Sequence, residues 1–157
     1  MSRARMIPMV VPAFAILALS AGCGGGKDQV TAAELIQKAD GICRQEQTKF
    51  SQIQTHPPVN ASDAADQTKE LVQTAESADS QLGDLEPPDE LRAPFESYLS
   101  ARGRAIDQMK HGQDAAENQD SRAYGASQAA VVRTAPERRR LAQAAGLKVC
   151  GANRVSA

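Results

Sequence analysis

"AADQTKELVQTAESADSQLGDL", residues 64–85, places Ala64, Thr68, Leu71, Ala75, Ala78, Leu82 and Leu85 at steps of four, three, four, three, four and three. A seam with that alternation stays on one side of an α-helix, where it can meet a neighbouring helix. The residues between the seam positions are mostly charged or polar, as an exposed face requires. The stretch predicts a helix that starts near Ser62 or Asp63 and stops at "EPPDE", where two prolines cannot continue it. The fold class follows from this helix and its partners.

Working outward, three more segments carry helical spacing. Thr31 with Glu34 three residues on forms a capping-box signature. Leu35, Ala39, Ile42, Phe50 and Ile53 then predict a first helix running to about Gln54, broken by "THPPVNAS". A third helix begins near Asp89 and carries Leu91, Phe95, Leu99, Ile106 and Met109, with Pro94 early in it. "HGQDAAENQD" is its weak point, and Gly112 is the expected C-cap. The fourth segment carries Tyr124, Val131, Leu141 and Ala145. Pro136 interrupts it, and Thr134 with Glu137 suits a capping box for a second piece, so a kink or break is expected there. Gly146 ends it and "LKVCG" follows as a non-helical stretch. Four amphipathic segments with short connections predict an all-α fold, an antiparallel up-down-up-down four-helix bundle with a kinked or broken fourth helix.

Ahead of the first helix the chain changes character. Arg3 and Arg5 precede residues 6–19, an uncharged and mostly apolar run of 14 residues bearing Pro8 and Pro12. A bilayer span needs about 20 apolar residues, so the run reads as a secretory signal. Leu19-Ser20-Ala21-Gly22-Cys23 then resembles the lipobox of bacterial lipoproteins, with Ser20 at the third position before the cysteine. The resemblance implies that cleavage falls after Gly22, that Cys23 is thioether-linked to diacylglycerol, and that its new amine is open to acylation. Two or three acyl chains on one cysteine anchor durably, where one chain binds only marginally. The expected organisation is a signal peptide over residues 1–22, a lipidated flexible tether over 23–30, the bundle over 31–151 and a disordered C-terminal tail over 152–157.

With Cys23 lipidated, Cys43 and Cys150 remain. An even pair in an exported chain predicts a disulfide, and metal or thiol catalysis is the alternative. The bridge would close a loop of about 107 residues, worth up to about 4–5 kcal/mol on the chain-entropy account. It also imposes a geometry. Cys43 lies about 12 residues into the first helix, roughly 18 Å along its axis. Either the segment after Gly146 folds back along the bundle, or the first helix overhangs it.

The mature chain holds no tryptophan, two tyrosines and two phenylalanines, so its core must come from Ala, Leu, Ile and Val. Such side chains bury little area each, at about 25 cal/mol per Å². Charge is unevenly placed. Residues 23–120 hold 9 basic and 18 acidic side chains, whereas residues 121–157 hold 7 basic and 1 acidic. An export signal, a net acidic mature chain and the lack of stacking aromatics exclude nucleic acid as a partner. Residues 24–30 span at most about 24 Å, which keeps the first helix near the bilayer and returns the fourth toward it. Arg138, Arg139, Arg140 and Lys148 are therefore candidates for contact with anionic lipid. Each basic group near such a surface adds about 1 kcal/mol within a Debye length of roughly 8–10 Å.

No catalytic constellation is present. CxxCH, HExxH, GxSxG and a framed phosphate loop are absent, and "GCGGGK" lacks the strand and helix that a phosphate loop needs. His56 precedes two prolines, and His111 stands at an expected helix end. Met109 and His111 are two apart and point to different helix faces. No metal or cofactor is expected. "ADGICRQ", "LEPPDELRAPFESYL" and "AQAAGLKVCG", spread over residues 30–151, resemble the small helical lipoproteins and secreted proteins of actinobacteria. That family has no assigned activity, so the resemblance implies fold and location alone. The expectation is a non-enzymatic lipoprotein, anchored through Cys23 at the extracytoplasmic face of the cell membrane, whose bundle binds an unknown cell-envelope protein. A small-ligand or metal carrier using the bundle interior is the alternative.

Overall fold

A computed structural model describes residues 30–152. The expected signal peptide, Cys23 with the tether to residue 29, and the tail from residue 153 lie outside the described residues. Four helices make up the described chain: α1 (Ala32–Ile53), α2 (Ala61–Gly83), α3 (Asp89–Glu117) and α4 (Ser121–Ala144). Each start has a local cause. Thr31 Oγ1 accepts from the Glu34 amide at 3.3 Å, while Glu34 Oε2 accepts from the Thr31 amide at 2.9 Å, so the expected capping box opens α1. Asn60 caps α2 by accepting from the Asp63 amide at 2.9 Å, which moves its start ahead of Ser62. Asp120 does the same for α4 through the Ala123 amide at 2.9 Å.

The helices form the expected four-helix bundle, with a core in layers that record the up-down-up-down order. One layer joins Leu35, Ala39 and Cys43 at the start of α1 to Leu82 at the end of α2, Phe95 and Tyr98 at the start of α3, and Ala142 and Ala145 at the end of α4. A second layer packs Phe50, Leu71, Ala75 and Ile106, with Ile53 and Met109 against it. At the far end Ala64, Ala65 and Ala116 meet Tyr124. Leu35, Leu82, Phe95 and Leu147 are fully buried. Each is worth about 1.5–3 kcal/mol relative to exposure.

Two expectations fail in α3 and α4, the C-cap at Gly112 and the capping box of Thr134 with Glu137. Gly112 is not a C-cap. It is buried inside α3, where an added Cβ would lie 3.4 Å from Ser127 Cβ of α4, so its small size serves helix approach. The helix continues because Ala115 and Ala116 gain burial beyond it. It ends where Gln119 takes a left-handed φ of 57°. The Asp120 amide then bonds the Ala115 carbonyl at 2.8 Å and the Gln119 amide the Ala116 carbonyl at 3.0 Å, a Schellman closure without glycine.

Pro136 does not break α4, which is continuous from Ser121 to Ala144. The carbonyl deprived of a partner by Pro136 belongs to Val132, which is 69% exposed and can be met by water. The expected Thr134–Glu137 capping box is absent. Thr134 Oγ1 donates to the Ala130 and Val131 carbonyls, and Glu137 pairs with Arg104 of α3 at 3.1 Å.

Gly146, at φ 79°, closes α4 by the same Schellman pattern. The chain then folds back onto α1, which resolves the distance between Cys43 and the end of α4. Leu147 enters the first core layer beside Leu35. No helix among the described residues is long and apolar enough to cross a membrane.

Candidate functional site

Between the first two core layers the seam carries charge. Glu46 follows Cys43 and precedes Phe50 on the buried face of α1, and Arg102 stands between Tyr98 and Ile106 on α3. Helical spacing forces both inward. Arg102 answers Glu46 with two bonds, Nη1 to Oε2 at 3.1 Å and Nη2 to Oε1 at 3.0 Å. Its Nε donates to Asp79 Oδ1 of α2 at 3.0 Å, and Nη2 also reaches the Ala75 carbonyl at 3.4 Å. One guanidinium thus ties three helices.

Burial is the largest single influence on Arg102 and opposes its charge, but Glu46 and Tyr98 together outweigh it and hold the pKa above the usual arginine range. Tyr98 lies beside this centre. Arg102 Nη1 approaches its hydroxyl at 3.5 Å, and the guanidinium carbon stands 5.8 Å from the ring centroid. Burial pushes the Tyr98 pKa up, so the hydroxyl keeps its proton. Every buried side-chain nitrogen and oxygen among the described residues has a hydrogen-bond partner. The interior charge is spent on holding helices together.

The second constellation is the C-terminal clasp. Cys43 and Cys150 are joined, with S–S 2.06 Å and Cα–Cα 5.3 Å. Beside them Asp40, buried in α1, accepts three backbone amides of the returning segment. Val149 donates at 2.8 Å and Cys150 at 3.3 Å to Oδ1, and Lys148 at 3.1 Å to Oδ2. Consecutive amides make a concave anion site, here filled by the protein's own carboxylate. Gln47 Nε2 adds a bond to the Val149 carbonyl at 3.1 Å, and Gln143 Nε2 one to the Gly151 carbonyl at 3.2 Å.

The four basic residues singled out in the sequence differ in exposure. Arg138 is half-buried and donates to the Val131 carbonyl at 3.2 Å and to Thr134 Oγ1. Arg139 is also half-buried, while Arg140 and Lys148 are exposed. His56 and His111 are exposed, and Met109 packs against the Phe50 layer. Among the described residues no group of three or more His, Cys, Asp or Glu is placed to hold a metal ion. A groove of about 660 Å³ between α1 and α2, lined by Lys38, Gly41, Ile42, Gln81, Asp84 and Leu85 among others, opens to solvent. A second, of about 490 Å³, lies between α3 and α4 beside the Arg104–Glu137 pair.

The Arg102 centre and the role of Asp40 were not read from the sequence. A signal for the first existed: Glu46 and Arg102 are charged residues at seam positions. Asp40 left no such mark, because its partners are backbone amides more than a hundred residues away.

These features define a disulfide-closed, all-α four-helix bundle with a paired ionic centre. Comparison with family models, with curated proteins and with solved structures gave no match.

Proposed function

We propose that this chain is a non-enzymatic lipoprotein, anchored through Cys23 at the extracytoplasmic face of the cell membrane, whose bundle is a binding module for a cell-envelope protein. One observation carries the reading: the lipobox-like run 19–23 stands a few residues before α1 of a bundle whose interior groups already satisfy one another. Among the described residues the buried side-chain nitrogens and oxygens are already partnered, which supports reading the outer faces as the working surface. Those faces are unlike. Asp63, Asp66, Glu70 and Glu76 of α2 are exposed, and so are Arg122, Arg133 and Arg140 of α4. A polarised surface favours an oppositely charged partner and speeds encounter with it. Arg140 and Lys148, at the end of the bundle where α1 begins, are the groups best placed to meet anionic headgroups.

The anchor is tested with Cys23→Ser. Loss of detergent-phase partitioning and retention of the unprocessed mass are expected. A variant still processed after Gly22 and kept in the membrane fraction overturns the reading. Crosslinking with mass spectrometry on intact cells tests the binding role by naming the partner.

A further inference from the structure

The two sulfurs of the disulfide sit in opposite surroundings. Cys43 is 1% exposed, and its Sγ lies 3.6 Å from the Tyr98 hydroxyl. A disulfide sulfur carries no hydrogen, so the hydroxyl is the donor. Arg102 Nη1, at 3.5 Å from the same oxygen, polarises that O–H bond further. Cys150 is half-buried on the returning segment, flanked by half-buried Val149 and buried Gly151, with exposed Lys148 and Ala152 one position further out. Its Sγ lies 3.5 Å from the Ala39 carbonyl oxygen, an electron-rich neighbour that disfavours a thiolate there. The more exposed cysteine and the better-stabilised leaving sulfur are therefore different residues.

We propose that Cys150 is a thiol–disulfide exchange site for small-molecule thiols, with Cys43 as the leaving sulfur and Tyr98 as the residue that stabilises it. The thiol ionises, losing its proton to solvent, and its thiolate attacks Cys150 Sγ. A new S–S bond forms there as the Cys43–Cys150 bond breaks, and the bonding pair leaves on Cys43 Sγ as a thiolate held by the Tyr98 hydroxyl. A second thiolate then attacks the small-molecule sulfur of the mixed disulfide, releasing the Cys150 thiolate, and water protonates both cysteines. Two thiols are oxidised to one disulfide and the protein disulfide is reduced to two thiols. Lys148, exposed two residues from Cys150, favours thiols that carry a carboxylate. After exchange the returning segment keeps its hold through Asp40 and Leu147, so the bundle remains folded while Cys150 carries the adduct.

The full oxidised chain is mixed with excess glutathione in native buffer, acid-quenched over time and mapped by peptide mass. The first adduct is expected on Cys150, with Cys43 recovered as the free thiol. Adduct on Cys43 first, or equal adduct on both cysteines as attack through the unfolded chain would give, overturns the proposal. Tyr98→Phe removes only the hydroxyl and is expected to slow the first step about threefold or more, with the far-ultraviolet circular dichroism of the oxidised protein unchanged. An unchanged rate in a folded Tyr98→Phe protein overturns the role of Tyr98.

Discussion

Arg102 on α3 and Glu46 on α1 face each other as a two-point pair inside the bundle, each nitrogen about 3 Å from its own carboxylate oxygen. Asp79 takes the third edge of the guanidinium. Such a pair is weak support for stability but costly to break, because the surviving partner is left charged and buried.

Arg102→Met is therefore expected to lower unfolding free energy by about 3–5 kcal/mol, and Arg102→Met with Glu46→Met to recover most of that loss. Urea unfolding at neutral pH measures both. A single variant within about 1 kcal/mol of the parent, on the usual scale for exposed pairs, would show that the centre is water-accessible.

Asp40→Asn keeps the size of the side chain but leaves one acceptor oxygen where three amides now converge. We expect a loss of about 1–3 kcal/mol. Faster hydrogen exchange should appear at Lys148, Val149 and Cys150 before it appears in the helices. Exchange that rises uniformly along the chain would contradict a local clasp.

Gly112 separates two outcomes by one methyl group. Gly112→Ala puts its Cβ at an ordinary contact distance from Ser127 and improves helix propensity, so stability should hold or rise by up to about 1 kcal/mol. Gly112→Leu drives α4 away from α3 and should cost about 1–3 kcal/mol. Thermal melts of the two variants compare them directly. Equal melting temperatures would mean that the helices do not meet closely there.

Tyr98 supplies the pH dependence. Its pKa is raised in the folded protein, chiefly by burial, so the unfolded chain ionises first as pH increases. The stability it contributes is full below the unfolded value of about 10 and falls as pH rises toward the folded one. The urea midpoint should drop between about pH 9 and pH 11, and less so in Tyr98→Phe. A parallel drop in both proteins would assign the effect to another group.

Much of the fold was legible because its signals are local. The α2 seam, the Thr31–Glu34 box, the prolines after α1 and α2, and Gly146 act over one or two helical turns, and each lies where the sequence places it. The C-cap expected at Gly112 and the break offered as one outcome at Pro136 are both missing, and they share a cause. Each residue carries a strong local preference, and packing overrode both: Gly112 serves the approach of α4, and the carbonyl that Pro136 leaves behind is on the wet face.

By itself the sequence determined the helix count, the seam of α2, the placement of charge toward the two ends of the chain and the pairing of the last two cysteines, whereas the residues α4 buries, Ser127 and Ala142, were not among those expected. These follow from periodicity, turn chemistry and an even cysteine number, none of which needs a neighbour in space. Only the tertiary structure decided what Glu46, Arg102, Asp79 and Tyr98 do together, and that Asp40 receives the returning segment. Such groups owe their stability to partners on other helices or at distant backbone amides. Burial makes those bonds strong, and burial exists only once the helices have met.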